Sequence, residues 1–559
     1  MCRTENLFDA ENARRDSDVH PQINHSTPKK KAVEMDEAIS KTKFGVFNYF
    51  VICVTGLVLY TVIAETCAIC YVLPILDCDM TDVTTAQKGV LAGVAFVGVI
   101  CSSHLWGFLA DTKGRRCVIQ PTLFVTFLLS VTSSFIQNFY LFVALRFLSG
   151  FFVSASSGNM FAYLGEFHNN KQRSRAIMSA TVIYSALCVI QPIAAWAVIN
   201  QEWQFEVPFI GLTYKPWRLF IIVYALPGLF SALALLFLPE SPKFVLGQGH
   251  KVAAYQILQK MNRWNNGKKE PLEEFEIHEE SETVANRQRI LAKKDSRFPL
   301  LKTVWHQTAP LFKAPYLKSM VLICTIQFGI VLTCQGFAMF FAEIINKMSD
   351  NLDSFYDQRM MMCDILGRKS VNISVMNEIN DEICVDKLDL STLGIGLAIE
   401  VIFALSSALA GLLINKVGNF AIIFFVLLTC GLSGIGCMLT DIPALQVALY
   451  LYFVSCGVAT NVLSSATVEL YPTTLRAMAM SISLMFARLG GVTGANAAAL
   501  LLDDYCEISF YLPGSILIAM GLLAFFIPNI HKKKHSDEEH TKVDARLSIL
   551  SFRGSVKNF

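Results

Sequence analysis

Apolar runs long enough to cross a bilayer recur along nearly the whole chain, a pattern that no soluble domain accommodates. A hydrocarbon core about 30 Å thick takes about 20 residues of helix to span. Windows of that kind fall near 46–74, 87–110, 117–136, 139–163, 176–200, 217–238, 317–343, 392–414, 419–440, 443–466, 477–502 and 507–528. Lipid offers backbone N–H and C=O groups no partners, so each run is expected to be a helix. A content of 53% hydrophobic and 16% charged residues agrees with that reading.

Two hydrophilic stretches divide the runs. Residues 239–316 separate the sixth from the seventh, and residues 344–391 separate the seventh from the eighth. The expected architecture is an all-α membrane protein of two six-helix bundles, 46–238 and 317–528. A tail, 1–45, precedes them, a loop, 239–316, joins them, and a second tail, 529–559, follows. Residues 1–43 are polar and charged, so the first helix is expected to insert as its own signal.

Charge in the short loops sets the orientation. Lys113, Arg115, Arg116, Lys171, Arg173, Arg175, Lys416, Arg476 and Lys532 to Lys534 fall on one side. Asp77, Asp79, Asp82, Glu202, Glu206, Asp441, Asp503, Asp504 and Glu507 fall on the other. Both tails and the 239–316 loop are therefore expected in the cytosol. In that loop Lys251–Trp264 has the spacing of a short amphipathic helix, read as a surface helix bracing the two bundles. The 344–391 loop then lies outside the cell or in a vesicle lumen. It carries a glycosylation sequon at Asn372, and its Cys363 and Cys384 are candidates for a disulfide. The remaining cysteines mostly sit inside apolar runs without metal-ligand spacing.

The chain also repeats itself. Gly107-Phe-Leu-Ala-Asp111-Thr-Lys-Gly114-Arg115-Arg116 follows the second run, and Gly411 to Asn419 follows the eighth, 304 residues later (411 − 107). Glu166 with Arg173 recurs as Glu469 with Arg476 at a spacing of 303 (469 − 166). Two motifs at nearly one offset indicate duplicated halves. Glycine at 107 would let helices approach closely, Asp111 would sit near a neighbouring helix N-terminus, and Gly114 would allow a sharp turn. Such a cluster, with Glu240, would latch the cytosolic helix ends in one conformation. Asn415 and Asn419 replace an acid and a base in the second copy, so the latch there should be weaker.

Gly107–Arg116 resembles the loop signature of the major facilitator superfamily. Arg146-Phe-Leu-Ser-Gly150, Pro239-Glu240-Ser241-Pro242-Lys243 and Glu469-Leu-Tyr-Pro472 resemble further motifs of its sugar and organic ion transporters. Val72-Leu73-Pro74, Trp106-Gly107, Trp217-Arg218, Pro227 and residues 239–246 are most similar to the synaptic vesicle glycoprotein 2 family. The chain departs from that family in three places. The 344–391 loop is much shorter than the folded one those glycoproteins carry, which argues against an adhesion or toxin-receptor role. Val62 stands where they have an acid, and Lys243 where they usually have Arg.

Charged residues at membrane depth mark function or permanent pairs. Glu65 is either a cavity-facing acid or the partner of Arg488 or another base. Glu400 is read as paired with Arg488, with a proton or cation site as the alternative. Arg146 stabilises the fold or relays a proton in preference to binding solute. Gln327, Gln335 and Asn461, with the rings of Tyr60, Tyr184 and Phe337, complete the candidate cavity.

No Walker loop, metal-ligand cluster, nucleophile elbow or basic nucleic-acid surface is present in the sequence, so neither an enzyme nor a cofactor is expected. The expected function is secondary transport, by a monomer, of a small charged or polar organic solute through alternating access. Proton-coupled loading of an amine or zwitterion into vesicles is one form. The alternatives are a plasma-membrane facilitator of organic ions or sugars, and a vesicle component that kept the fold and lost transport.

Overall fold

The computed structural model describes residues 32–527, apart chiefly from 278–308 and from 350–387 other than Cys363. Twelve of its helices are long and apolar enough to cross a membrane. They are Val46–Tyr71, Thr85–Lys113, Arg115–Ser134, Phe139–Glu166, Arg175–Ile199 and Pro216–Ala234 in the first half. In the second half they are Leu317–Ala342, Leu390–Ala410, Asn419–Leu439, Ala444–Thr467, Met478–Leu501 and Cys506–Ala524. Each begins and ends within about one turn of its apolar run.

Local chemistry sets many of these starts. Thr84 caps the second span, accepting from Gln87 N, while the Gln87 side chain accepts from Thr84 N at 2.8 Å. Asn138 and Asn169 cap the helices that begin at Phe139 and Asn170. Pro216 and Pro443 stand in the first turn, where a missing N–H costs nothing.

Within the first bundle the second and fourth spans touch backbone to backbone. A Cβ at Gly98 would meet the carbonyl of Phe147, and one at Gly150 would meet that of Ala95. At the acidic face Arg218 joins three segments. It donates to Asp79 at 2.6 Å and to the carbonyls of Ser134 and Ile136 at 3.1 and 2.7 Å. A small antiparallel pair, Phe205–Val207 with Leu212–Tyr214, links the fifth and sixth spans there.

At the basic face the amino-terminal segment and the 239–316 loop fold together beneath the first bundle. Ala32–Val33 pairs in parallel with Glu276–Ile277, and the helix Met35–Lys41 is tied to the loop by a 2.6 Å ion pair between Asp36 and Lys243. The amphipathic helix runs Lys251–Asn266. Its Leu258 and Met261 share a core with Met35, Ile39, Phe47, Val51 and Phe167. Asn265 donates to the carbonyls of Thr42 and Lys43 and accepts from Phe47 N, which pins the start of the first span. The described part of this helix braces the first bundle against its own tail, a correction to the expectation that it braces both bundles.

Contacts that join the bundles run from the acidic face to mid-span. Asn200 exchanges hydrogen bonds with both the N–H and the carbonyl of Leu388, and Tyr71 meets Phe341 edge-on at 5.4 Å. Gly89 and Gly93 of the second span lie against Ala499 and Asn496 of the eleventh. One to two turns in from the acidic-face ends of the first and seventh spans, Gln335 donates to the Cys67 thiol at 3.3 Å.

The disulfide expectation is corrected. Cys363 is bonded to Cys506 at the head of the twelfth span, with a Cα separation of 5.7 Å. A cysteine 143 residues distant in sequence carries no local spacing signal. Cys384, Asn372, the carboxy-terminal tail and the side chains of Glu469, Arg476 and Asn415 lie outside the described residues.

Candidate transport site

The sixth span brings Tyr224 beside a cluster built on the first, third and fourth. Glu65 is 3% exposed and Arg146 2% exposed, so both have left water almost completely. Their ion pair is 3.3 Å long. Ser149 donates to Glu65 Oε2 at 2.7 Å, and the Ser130 hydroxyl reaches the same carboxylate at 2.8 Å. Arg146 donates to Ser130 and Ser133 at 2.9 and 3.0 Å, and to the Tyr224 hydroxyl at 2.5 Å. Ser130 thus accepts from the cation while donating to the anion, relaying charge compensation across a hydroxyl. Glu65 finds its base in Arg146, not in Arg488. Only Arg146 Nε lacks a partner in this cluster.

Glu400 and Arg488 are not paired, which corrects the preferred reading of both. Glu400 is half-buried and makes no hydrogen bond or ion pair with the described residues. It lies within electrostatic reach of Tyr60 and Cys67 on the first span and of Tyr184 and Cys188 on the fifth. One turn earlier on the same helix, Gly396 packs against Pro192, the Tyr71 hydroxyl and Phe341. Arg488 instead crosses to the first bundle and donates to Ser103 at 2.6 Å and Ser157 at 2.9 Å. The physical reason is geometric: the eighth span packs against the fifth, with Gly396 beside the Tyr71 hydroxyl, whereas the eleventh packs along the second.

The neutral candidates divide. Gln335 bonds across the bundles, Asn461 is exposed, and Gln327 is fully buried with neither amide atom partnered. Phe337 packs against Phe453 and Phe510 at 5.3 and 5.2 Å and belongs to the core.

The basic-face cluster is assembled. Arg115 donates to Glu166 at 2.7 Å and pairs with Asp111 at 3.2 Å. Glu240 accepts from the backbone N–H groups of Arg115, Arg116 and Cys117 at 3.0, 3.2 and 3.3 Å. It is Glu240, rather than Asp111, that occupies a helix N-terminus, adding its charge to the dipole of the third span. Gly114 has φ +104°, and a Cβ there would lie 2.6 Å from the Glu240 carboxylate. Gly418 repeats the turn with φ +90° in the second half. Arg173 lies over Gly165, and Arg116 reaches the Leu236 carbonyl at 3.3 Å. Gly107 has open space where a Cβ would stand, so it brings no helices together in this conformation.

Sequence reasoning passed over Ser130, Ser133 and Tyr224 and met Ser149 only as part of the motif at 146–150. A hydroxyl in an apolar span is a weak signal, because a helix satisfies a serine itself by bonding to the preceding turn.

A family model described as Sugar (and other) transporter matches residues 34–365, and one described as Major Facilitator Superfamily matches residues 360–557. The chain is 27% identical over 337 residues to synaptic vesicle glycoprotein 2B of Mus musculus, covering 57% of this chain and 48% of that protein. It is 30% identical over 263 residues to synaptic vesicle glycoprotein 2A of Rattus norvegicus, covering 45% and 35%. The chain therefore spans about half or less of these curated relatives. Among solved structures, the inward open conformation of the xylose transporter XylE from E. coli has a TM-score of 0.59 at 14% identity, covering 86% of this chain and 96% of that one. A D-xylose-proton symporter has a TM-score of 0.57 at 14% identity, covering 86% and 98%. At such identity the likeness is one of fold.

Proposed function

We propose that this chain, which belongs to the sugar (and other) transporter family, is a proton-coupled carrier of a small charged or polar organic solute that works by alternating access. The observation that carries this reading is the buried Glu65–Arg146 cluster with Ser130, Ser149 and Tyr224. An acid in such a setting couples its proton to conformation. While Glu65 is ionised it compensates the guanidinium, and the first, third, fourth and sixth spans are held together. A proton on Glu65 leaves Arg146 as a buried cation without a counter-charge, which is costly at this depth. A conformation that gives Arg146 another partner or water is then favoured, so proton uptake and helix rearrangement are linked.

The orientation we propose places the basic face in the cytosol. Supporting it are the loop charges and the Cys363–Cys506 disulfide on the opposite face. With the acidic-face contacts closed, the conformation would open to the cytosol. In a vesicle membrane a lumenal proton gradient would then drive an amine or zwitterion inward in exchange for protons.

Uptake into proteoliposomes with an imposed pH gradient tests the reading. Accumulation should collapse with a protonophore and in Glu65→Gln, while solute exchange at equal pH persists. Gradient-insensitive accumulation would overturn it. A second reading, a facilitator of a hydroxyl-rich solute, is favoured by the buried and unpartnered amide of Gln327, which offers a donor and an acceptor to such a ligand. Uptake of a labelled hexose without any gradient would select it.

A further inference from the structure

Where the sixth span ends, two cations from distant parts of the chain meet. The helix closes at Ala234, and the last carbonyls of a helix have no further turn to accept from. Arg116, at the head of the third span, donates to the Leu236 carbonyl at 3.3 Å. Lys260, on the amphipathic helix, donates to the Phe237 carbonyl at 2.8 Å. Neighbouring carbonyls thus hold the two charged heads side by side. The ion pairs described at this face take up Lys41, Arg115 and Lys243 and leave these two out. Glu240, which accepts from the Arg116 backbone, is committed to three N–H groups of the helix start.

The local sequence offers no compensation. Lys251–Asn266 carries Lys251, Lys260 and Arg263 and no acid, so no partner stands one turn away. Burial, and after it the Arg116 charge, push the Lys260 ammonium below its ordinary value. Like charges held together raise each other's energy, and an anion set against both lowers it. Each cation gives one donor to its carbonyl, which leaves a guanidinium and an ammonium with others to offer.

The pair stands at the depth of a bilayer's headgroups. The Lys260 ammonium lies 5.7 Å from the Trp264 ring, which packs on Phe47 and Phe50 at the start of the first span at 5.7 and 5.8 Å. Tryptophan favours that boundary. Toward the bilayer centre the sixth span turns Phe230, Leu233 and Phe237 outward. Any span offers lipid tails such a face, so it is the cations above it that select the head.

We propose that Arg116 and Lys260, with the exposed Arg263 one turn further along, bind the phosphate of an anionic membrane phospholipid whose tails lie along Phe230, Leu233 and Phe237. A phosphate diester keeps two free oxygens, one for each cation. Phosphatidylcholine brings a fixed cation to a site that already holds three, so the net charge of the head decides. The bound lipid would join the third and sixth spans to the amphipathic helix. The proposal is independent of which solute the chain carries.

Native mass spectrometry of the full chain, released from phosphatidylcholine nanodiscs containing a minority of phosphatidylserine, tests it. Retained phosphatidylserine should exceed its share of the bilayer about tenfold. The double variant Arg116→Gln/Lys260→Gln should lose that enrichment, while Arg175→Gln, an exposed base elsewhere on the same face, should keep it. Lys260→Gln alone, on a surface helix, serves where the double variant unfolds, and should lose most of the enrichment. Retention in proportion to the bilayer, or enrichment that these substitutions leave unchanged, would overturn the proposal. So would displacement of the retained lipid by soluble glycerophosphoserine, since a free phosphate ester would then suffice.

Discussion

Arg146 Nη1 lies 3.3 Å from Glu65 Oε2 and 2.5 Å from the Tyr224 hydroxyl, so one nitrogen couples the acid of the first span to the sixth. Removing one member of a buried ion pair costs about 3–5 kcal/mol, because the survivor is left without compensation. Glu65→Gln and Arg146→Ala should therefore each lower thermal stability in detergent markedly, since each leaves the other charge buried without compensation. Tyr224→Phe, which removes one hydrogen bond and no charge, should cost less. A wild-type melting temperature in either charge variant would contradict the charge argument.

Glu240 is predicted to matter as a cap. Glu240→Ala leaves the N–H groups of Arg115, Arg116 and Cys117 without their acceptor, at a cost of about 0.5–2 kcal/mol. Glu240→Gln should retain part of the stability. Gly114→Ala should be at least as damaging, since it combines φ +104° with a clash on Glu240. Thermal unfolding of the three variants, followed by tryptophan fluorescence, provides the comparison.

The loop after the seventh span should be covalently attached to the twelfth. Non-reducing digestion followed by mass spectrometry should recover Cys363 joined to Cys506. Cys384→Ser should leave that linked peptide intact, whereas Cys506→Ser should eliminate it. Recovery of a Cys363–Cys384 peptide from the native chain would refute this pairing.

His168 makes stability pH-dependent at the basic face. Its ring is fully buried, Nδ1 meets the Leu164 carbonyl at 2.8 Å, and Nε2 has no partner. Burial pushes the imidazole below its ordinary value. The folded state thus resists a proton that the unfolded chain accepts near pH 6.5. Stability is unaffected well above that value and falls as pH drops through it, by at most about 1.4 kcal/mol per pH unit. The melting temperature of His168→Gln should show a shallower decline between pH 7.5 and pH 5.5, and parallel curves would exclude the effect.

Membrane location, the number of spans and the repeat were legible in the amino-acid sequence because each follows from local chemistry. Apolar length dictates a spanning helix, Thr84 and Asn138 mark its start, and Gly114 and Gly418 declare the same left-handed turn in both halves. Glu65, Arg146, Glu400 and Arg488 were visible too, since charge inside an apolar run needs a reason. Their partners were not. Which base meets Glu65 depends on how four helices rotate and tilt against one another, and sequence spacing across separate helices carries no such angle. The same holds for Cys363 with Cys506 and for Glu240 at a helix start more than a hundred residues away. The sequence alone determined which groups must be buried in the membrane, because hydrophobic length and charge are local properties. Only the tertiary structure decided which of them neutralise each other and which stay free, because pairing depends on distances of a few ångströms set by packing.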